Sequence, residues 1–236
     1  MWLARALQSQ GLGSRKGCVL LVRSGAVAVN GVVCDDPEAE VEPEGLELTV
    51  NGVTWPYHQK AYVLMHKPAG YECSHNPKHH PSVFSLLPSP LLERGVQCVG
   101  RLDQDTTGLL LFTDDGQFIH RMTSPKKGVA KIYRAVCADP VTEAMLDALR
   151  SGVHLNDEPA PIAALACEVI DNHTLRLTLA EGKYHQVKRM LAATGNRVDS
   201  LHREAIGDYA LPATLAPGAW RWLDAADLAR LEQPWP

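Results

Sequence analysis

Two carboxylates stand two residues apart in the stretch GRLDQDTTGLLLFTDDGQF, residues 100–118, where Asp103 and Asp105 occupy a polar loop before the apolar run Leu109 to Phe112. Side chains of this kind support two chemistries. A D-x-D pair can hold a divalent cation through its oxygens, and a single carboxylate can serve as nucleophile or base. Either acid is equally at home accepting hydrogen bonds from loop backbone, and the spacing by itself does not choose. Asp114 and Asp115, directly before Gly116, read as a turn and the N-cap of a short helix through QFIHRM. Cys73, His75, His79 and His80 lie close together in sequence, a density that zinc uses, but nothing elsewhere completes a second pair, so no metal site is expected.

The elements that must carry these residues alternate between strands and single helices from Ala61 onward. AYVLMHKP and LLLFT read as buried strands, and KIYRAVCA and HTLRLTLA as alternating ones. TEAMLDALRSG reads as a helix ended by Gly152, and YHQVKRMLAATG as a helix closing at Gly195 with Val187, Met190 and Leu191 inward. Asp224 is placed to cap a last short helix, DAADLARLEQ. This order predicts an α+β fold with a mixed, largely antiparallel sheet.

The amino-terminal residues form a smaller unit of their own. Ser14 suits the N-cap of a helix from Arg15 to Ser24, with Cys18, Leu21 and Val22 on one face and Gly25 as its stop. Asn30-Gly31 and Asn51-Gly52 mark two tight hairpins, because a type I′ turn needs two residues that accept positive φ. Pro56 through Lys60 reads as a linker, which divides the chain into domains 1–57 and 58–236.

A chain of 236 residues with 45% hydrophobic content can bury a sizeable core. No apolar run is long enough to span a bilayer, and MWLARALQSQ lacks the order of a signal peptide, so a cytoplasmic protein with no membrane partner is expected. The six cysteines are scattered without a C-x-x-C pair, which predicts free thiols. The net charge of −4 conceals local bias. Residues 1–31 carry Arg5, Arg15, Lys16 and Arg23 and no acid, whereas 35–47 carry acids and no base. HRMTSPKKGVAKIYR at 120–134 is again basic without an acid. Basic patches on an acidic average suit a protein that meets a polyanion on one face.

Several of these stretches together resemble the RsuA-type pseudouridine synthases. GRLDQDTTGLLLFTDDGQ resembles that family's signature, HKPAGYECS at 66–74 the strand and loop before it, KIYRA at 131–135 its K-x-Y motif, and LAEGKYHQVKRM at 179–190 its third motif. The amino-terminal module, with SR followed by GAVAVNG, resembles an S4 RNA-binding domain, although Trp2-Leu3-Ala4-Arg5 replaces that domain's usual mixed-charge helix start. The resemblance implies that Asp103 is the catalytic carboxylate, that Tyr133 stacks on the target base, and that Lys188 pairs with Asp103 to keep it ionised and aimed. It implies that Arg101 fills the gap left by a flipped nucleotide. Lys126, Lys127, Lys131, Arg134 and Arg189, with Arg15, Lys16 and Arg23 of the module, are then the expected RNA contacts.

Within the family, YHQVKRM points to the members that act on small-subunit rRNA, and the implied target is uridine 516 of 16S rRNA. A monomer needing no cofactor is expected. The reaction cuts the N-glycosidic bond, rotates the uracil and rejoins it through carbon, and uracil leaves as a delocalised anion, so one carboxylate suffices where glycosidases use two. Whether Asp103 attacks the ribose, attacks the base or takes a proton stays open at this level. Three alternatives remain beside this reading: the same chemistry on 23S rRNA, a non-catalytic assembly factor, and a metal-dependent transferase built on Asp103 and Asp105. The last is separated by a simple assay. Tritium release from RNA labelled at uridine C5 is expected to be unchanged in EDTA, whereas the D-x-D metal reading requires its loss.

Overall fold

The computed structural model describes residues 1–233. The elements in chain order are α1 (Leu3–Ser9), α2 (Arg15–Arg23), β1 (Val27–Val29), β2 (Val32–Val33), β3 (Glu47–Val50), β4 (Val53–Pro56), β5 (Tyr62–Lys67), α3 (Ser89–Glu93) and β6 (Gln97–Cys98). They continue with β7 (Thr107–Thr113), α4 (Gly116–Thr123), β8 (Lys131–Cys137), α5 (Glu143–Ser151), β9 (Ala166–Asp171) and β10 (Thr174–Leu179). The last are α6 (Gln186–Ala193), β11 (Val198–Ile206), β12 (Tyr209–Ala210), β13 (Trp220–Trp222) and α7 (Ala225–Leu231).

Packing divides the chain into two units, and the division is less simple than a cut after residue 57. The first unit takes Met1–Ala61 together with Leu87–Gln97 and Thr113–Asp115, and the second takes the remainder. In the first, Leu3, Leu7, Cys18, Val22, Val27 and Leu48 form the core under an antiparallel sheet ordered β2-β1-β3-β4. The Ser14 hydroxyl accepts from the Gly17 N–H at 3.1 Å, as an N-cap should. Both hairpin turns have positive φ at each central residue, 48° and 83° at Asn30 and Gly31, and 49° and 81° at Asn51 and Gly52.

The expected linker is corrected by this unit's hydrogen bonds. Pro56 belongs to β4, opposite Glu47, and Tyr57 N–H donates to the Leu46 carbonyl at 2.8 Å. Gln10 brackets His58, donating to its carbonyl at 3.1 Å and accepting from its N–H at 3.0 Å. Asp114 likewise does more than turn the chain. Its carboxylate accepts from Arg94 Nη2 at 2.8 Å and Nε at 3.0 Å, and from the Ala61 N–H at 2.9 Å, an ion pair whose partner is remote in sequence.

The second unit is built on a mixed, largely antiparallel sheet running β13-β5-β7-β11-β8-β10-β9. Leu64, Leu109, Leu111, Phe118, Met122, Ile206 and Leu223 form a principal core cluster. β7 and β11 pair in parallel, with His202 facing Thr107 and Arg203 facing Gly108. Sequence periodicity gave β11 no signal, since Asp199, Ser200, His202, Arg203 and Glu204 interrupt it, yet it lies between two strands of the sheet. Gly108 permits the contact. Its φ is 110°, and a Cβ there would stand 2.3 Å from the Arg203 carbonyl oxygen and 2.7 Å from its nitrogen.

A second difference concerns α6, which starts at Gln186 and not at Tyr184. Gln186 Oε1 accepts from Lys183 N–H at 2.8 Å and its own N–H donates to the Lys183 carbonyl at 3.2 Å, closing a turn ahead of the helix. Asp224 caps α7 with a full capping box shared with Asp227. All six cysteines are free, and no helix among the described residues is long and apolar enough to cross a membrane.

Gly108→Ala is expected to destabilise the protein by about 3 kcal/mol or more, from backbone strain plus the clash with Arg203. Gly116→Ala, at the open start of α4, should change stability by no more than about 1 kcal/mol. Urea unfolding of the two variants side by side tests the difference.

Candidate active site

Asp103 begins a β-turn that the Thr106 N–H closes onto its carbonyl at 3.1 Å. The turn is held from below by Lys67, the last residue of β5, which is 0% exposed. Its ammonium donates to the carbonyls of Pro68 at 3.0 Å, Gln104 at 3.1 Å and Thr106 at 2.8 Å, so each proton has an acceptor. The Gly70 N–H adds a bond to the Gln104 carbonyl at 2.7 Å. Burial pushes the Lys67 pKa down, and the nearby acids, Cys73, Asp105 and Asp103, recover part of that loss.

Helix α6 supplies the cation above the turn. Lys188 Nζ lies 3.0 Å from Asp103 Oδ2 and 2.7 Å and 3.0 Å from the two Asp105 oxygens. Burial alone would lower the Lys188 pKa, but hydrogen bonds to Asp105 and Asp103 outweigh it and hold the ammonium above its ordinary range. Asp105 shows the complement: burial would raise it, and Lys188 brings it below the usual carboxylate range. The position between the two acids that a divalent ion would take is therefore filled by an ammonium.

His185 provides the second partner of Asp103, its Nε2 3.2 Å from Oδ1. It sits in the left-handed region at φ 48° and ψ 33°, a conformation that costs a non-glycine residue energy and recurs at functional sites. Its ring stacks on Tyr184 at 3.8 Å, and Tyr184 is 70% exposed. On the other side of the entrance, the Glu72 carboxylate gathers the backbone N–H groups of Lys78 at 3.0 Å and of His79 and His80 at 2.9 Å each. Those donors lower the Glu72 pKa to about 2. Cys73, His75, His79 and His80 do not gather into a ligand set, and His75 stacks on Phe84 at 3.7 Å.

Behind Asp103 is a cavity of about 110 Å³ walled by Lys131, Tyr133, Leu179, Val187, Leu201 and Arg203. A water's share of liquid is roughly 30 Å³, so the space suits a few waters or one flat ring. Strand register explains the wall, since Tyr133 faces Leu177 on β10 and Arg203 on β11. An outer groove of about 790 Å³, which includes Arg101, His79, Asp105, Tyr184 and Lys188, shares Asp103 with the inner cavity.

The residues expected from the sequence are thus partly gathered and partly dispersed. Asp103, Lys188, Tyr133 and Arg101 meet at one place. Lys126 and Lys127 are exposed on a 3-10 turn, and Arg15, Lys16 and Arg23 are exposed on α2 of the other unit. Lys131 is not a surface cation: it is 9% exposed and donates to the Val129 carbonyl at 2.8 Å, because its place in the β8 alternation points it inward with Tyr133. The same alternation turns Arg134 to the opposite face, where it lies 3.6 Å from Glu204. Arg189 pairs with Asp157 and donates to the Tyr184 carbonyl at 3.1 Å, bracing the loop before α6. Sequence reasoning missed Lys67, His185 and Arg203 as site residues. Arg203 carried no sequence signal, because the polar residues of VDSLHREAI hide the strand that turns it inward.

Comparison with known proteins gives the family. The RNA pseudouridylate synthase family matches residues 61–193, and the S4 domain matches residues 1–47. The chain belongs to the RNA pseudouridylate synthase family. It is 41% identical over 212 residues to the ribosomal small subunit pseudouridine synthase A of Vibrio parahaemolyticus, covering 89% of this chain and 90% of that one. The protein of the same name from Escherichia coli is 39% identical over 208 residues, covering 88% and 90%. A crystal structure of a pseudouridylate synthase superposes with a TM-score of 0.70 at 35% identity, covering 98% of this chain and 99% of the other.

Lys188→Met is expected to lower kcat about 100-fold, the scale of removing one preorganised electrostatic partner from a site, here the cation shared by Asp103 and Asp105. Asp105→Asn leaves the Asp103–Lys188 pair in place and should cost less than about 10-fold. Single-turnover kinetics on a substrate RNA, with circular dichroism to confirm folding, measures both.

Proposed function

We propose that this chain converts one uridine of small-subunit rRNA to pseudouridine, the target being uridine 516 of 16S rRNA. Asp103 is the catalytic carboxylate, Lys188 holds it ionised and aimed, and Tyr133 stacks on the uracil. Arg101, exposed where the outer groove meets the inner cavity, enters the gap that the flipped nucleotide leaves. Lys126 and Lys127 contact phosphates, as do Arg15, Lys16 and Arg23 of the S4 module, so binding weakens with salt. The enzyme works as a monomer in the cytoplasm on rRNA and needs no cofactor.

The observation that carries this reading is the position of Asp103. Its two oxygens meet different side chains, the Lys188 ammonium at 3.0 Å and the His185 ring at 3.2 Å, at the mouth of a cavity walled by Tyr133. A carboxylate held in this way can act on a base or its ribose entering from the groove, with Lys188 and His185 fixing the direction in which its oxygens point. The small-subunit target is supported by the names and coverage of the relatives.

Two measurements test the proposal. Asp103→Asn should abolish tritium release from RNA labelled at uridine C5, and release equal to that of the unmutated protein refutes the assignment. Carbodiimide-blocked primer extension on rRNA from cells with and without the protein should lose one small-subunit stop. Loss of a large-subunit stop instead selects 23S rRNA as target, and no lost stop selects a non-catalytic assembly factor.

A further inference from the structure

Two buried cations stand in the inner cavity without an acid of their own. Arg203 is 2% exposed, and its Nε donates to the Leu109 carbonyl at 2.8 Å. Its Nη2 is buried and has no hydrogen-bond partner among the described residues. Lys131 is 9% exposed and spends one proton on the Val129 carbonyl. Burial, and then the neighbouring Arg203 charge, push its pKa down to about 8. The acids that line the same cavity are engaged elsewhere: Asp103 with Lys188 and His185, and Glu181 with Lys183 at 3.7 Å. A role in folding explains the Nε bond. It does not explain a buried guanidinium N–H without a partner in a residue that lines the cavity, which is costly unless another group completes it.

We propose that Arg203 and Lys131 form the anion-stabilising floor of the base pocket, donating to the uracil carbonyl oxygens while the base is detached. This rests on the pseudouridine synthase reading above. When the C1′–N1 bond breaks, its electron pair leaves with the base and spreads over the ring onto O2 and O4. Rotation about the N3–C6 axis exchanges N1 with C5 and O2 with O4, so a donor that meets O4 before the turn meets O2 after it. The pair on C5 then forms the C5–C1′ bond, the C5 proton departs, and N1 gains one, leaving an isomer with no change in oxidation state. Fixed donors that see the same oxygen pattern on both sides of the rotation stabilise the anion without reorganising. The backbone contact of Arg203 with Gly108 and its Nε bond to Leu109 hold the guanidinium in place for this role.

The test uses Arg203→Lys and Lys131→Met, each compared with the unmutated enzyme on RNA carrying uridine or 5-fluorouridine at the target. Fluorine makes the base a better anion, so it needs less help from the floor. Consumption of the uridine substrate should slow about 100-fold in each variant, with RNA affinity changed less than about threefold and the penalty at least tenfold smaller for the fluorinated substrate. An equal penalty on both substrates, or a loss confined to RNA affinity, overturns the proposal. Should Arg203→Lys fail to fold, Lys131→Met carries the test alone on the same criteria. If the unmutated enzyme isomerises no RNA, it is the proposed function that has failed.

Discussion

Burying an ammonium costs several kcal/mol unless its protons meet acceptors, and Lys67 meets that cost by holding three backbone carbonyls at once. The constraint sets the rest of the site. Two of those carbonyls, Gln104 and Thr106, belong to the turn that carries Asp103 and Asp105, so the end of β5 dictates where the acids stand. A lysine serves here as a rigid post because it is paired with peptide oxygens, which cannot be titrated away. The carboxylates above are left free for partners of their own.

Those partners come from the start of α6. Lys188 reaches both acids and His185 reaches one, from residues three apart on either side of the helix start. The left-handed His185 and the Gln186 side chain that closes the preceding turn set the angle at which the helix begins. Local strain at His185 is offset by the interactions that over-determine it, among them the Tyr184 stack and the Asp103 contact.

The inner wall depends on sheet register. Tyr133 and Lys131 on β8 and Arg203 on β11 share one face because each strand alternates, and the same rule sends Arg134, His202 and Glu204 to the other. A one-residue slip of β11 would exchange Arg203 for its neighbours and remove the buried guanidinium from the cavity. At Gly108 the two parallel strands come close enough that a Cβ would meet the Arg203 backbone.

Much of this was legible from residue order. Ser14, Asn30-Gly31, Asn51-Gly52 and Asp224 act within a few residues of themselves, so their caps and turns follow from local chemistry, and the family motifs pointed to Asp103, Tyr133 and Lys188. Residues whose roles depend on remote partners were not legible. Asp114 read as a turn until Arg94 was beside it, Lys131 and Arg134 read alike until the pleat separated them, and β11 was hidden because its polar residues find partners only across the sheet. Sequence alone therefore determined the kinds of element and the motif residues, since these rest on contacts a few positions apart. Tertiary structure decided which cations are buried, which acid each one holds, and what lines the cavity, because those depend on distances between segments far apart in the chain.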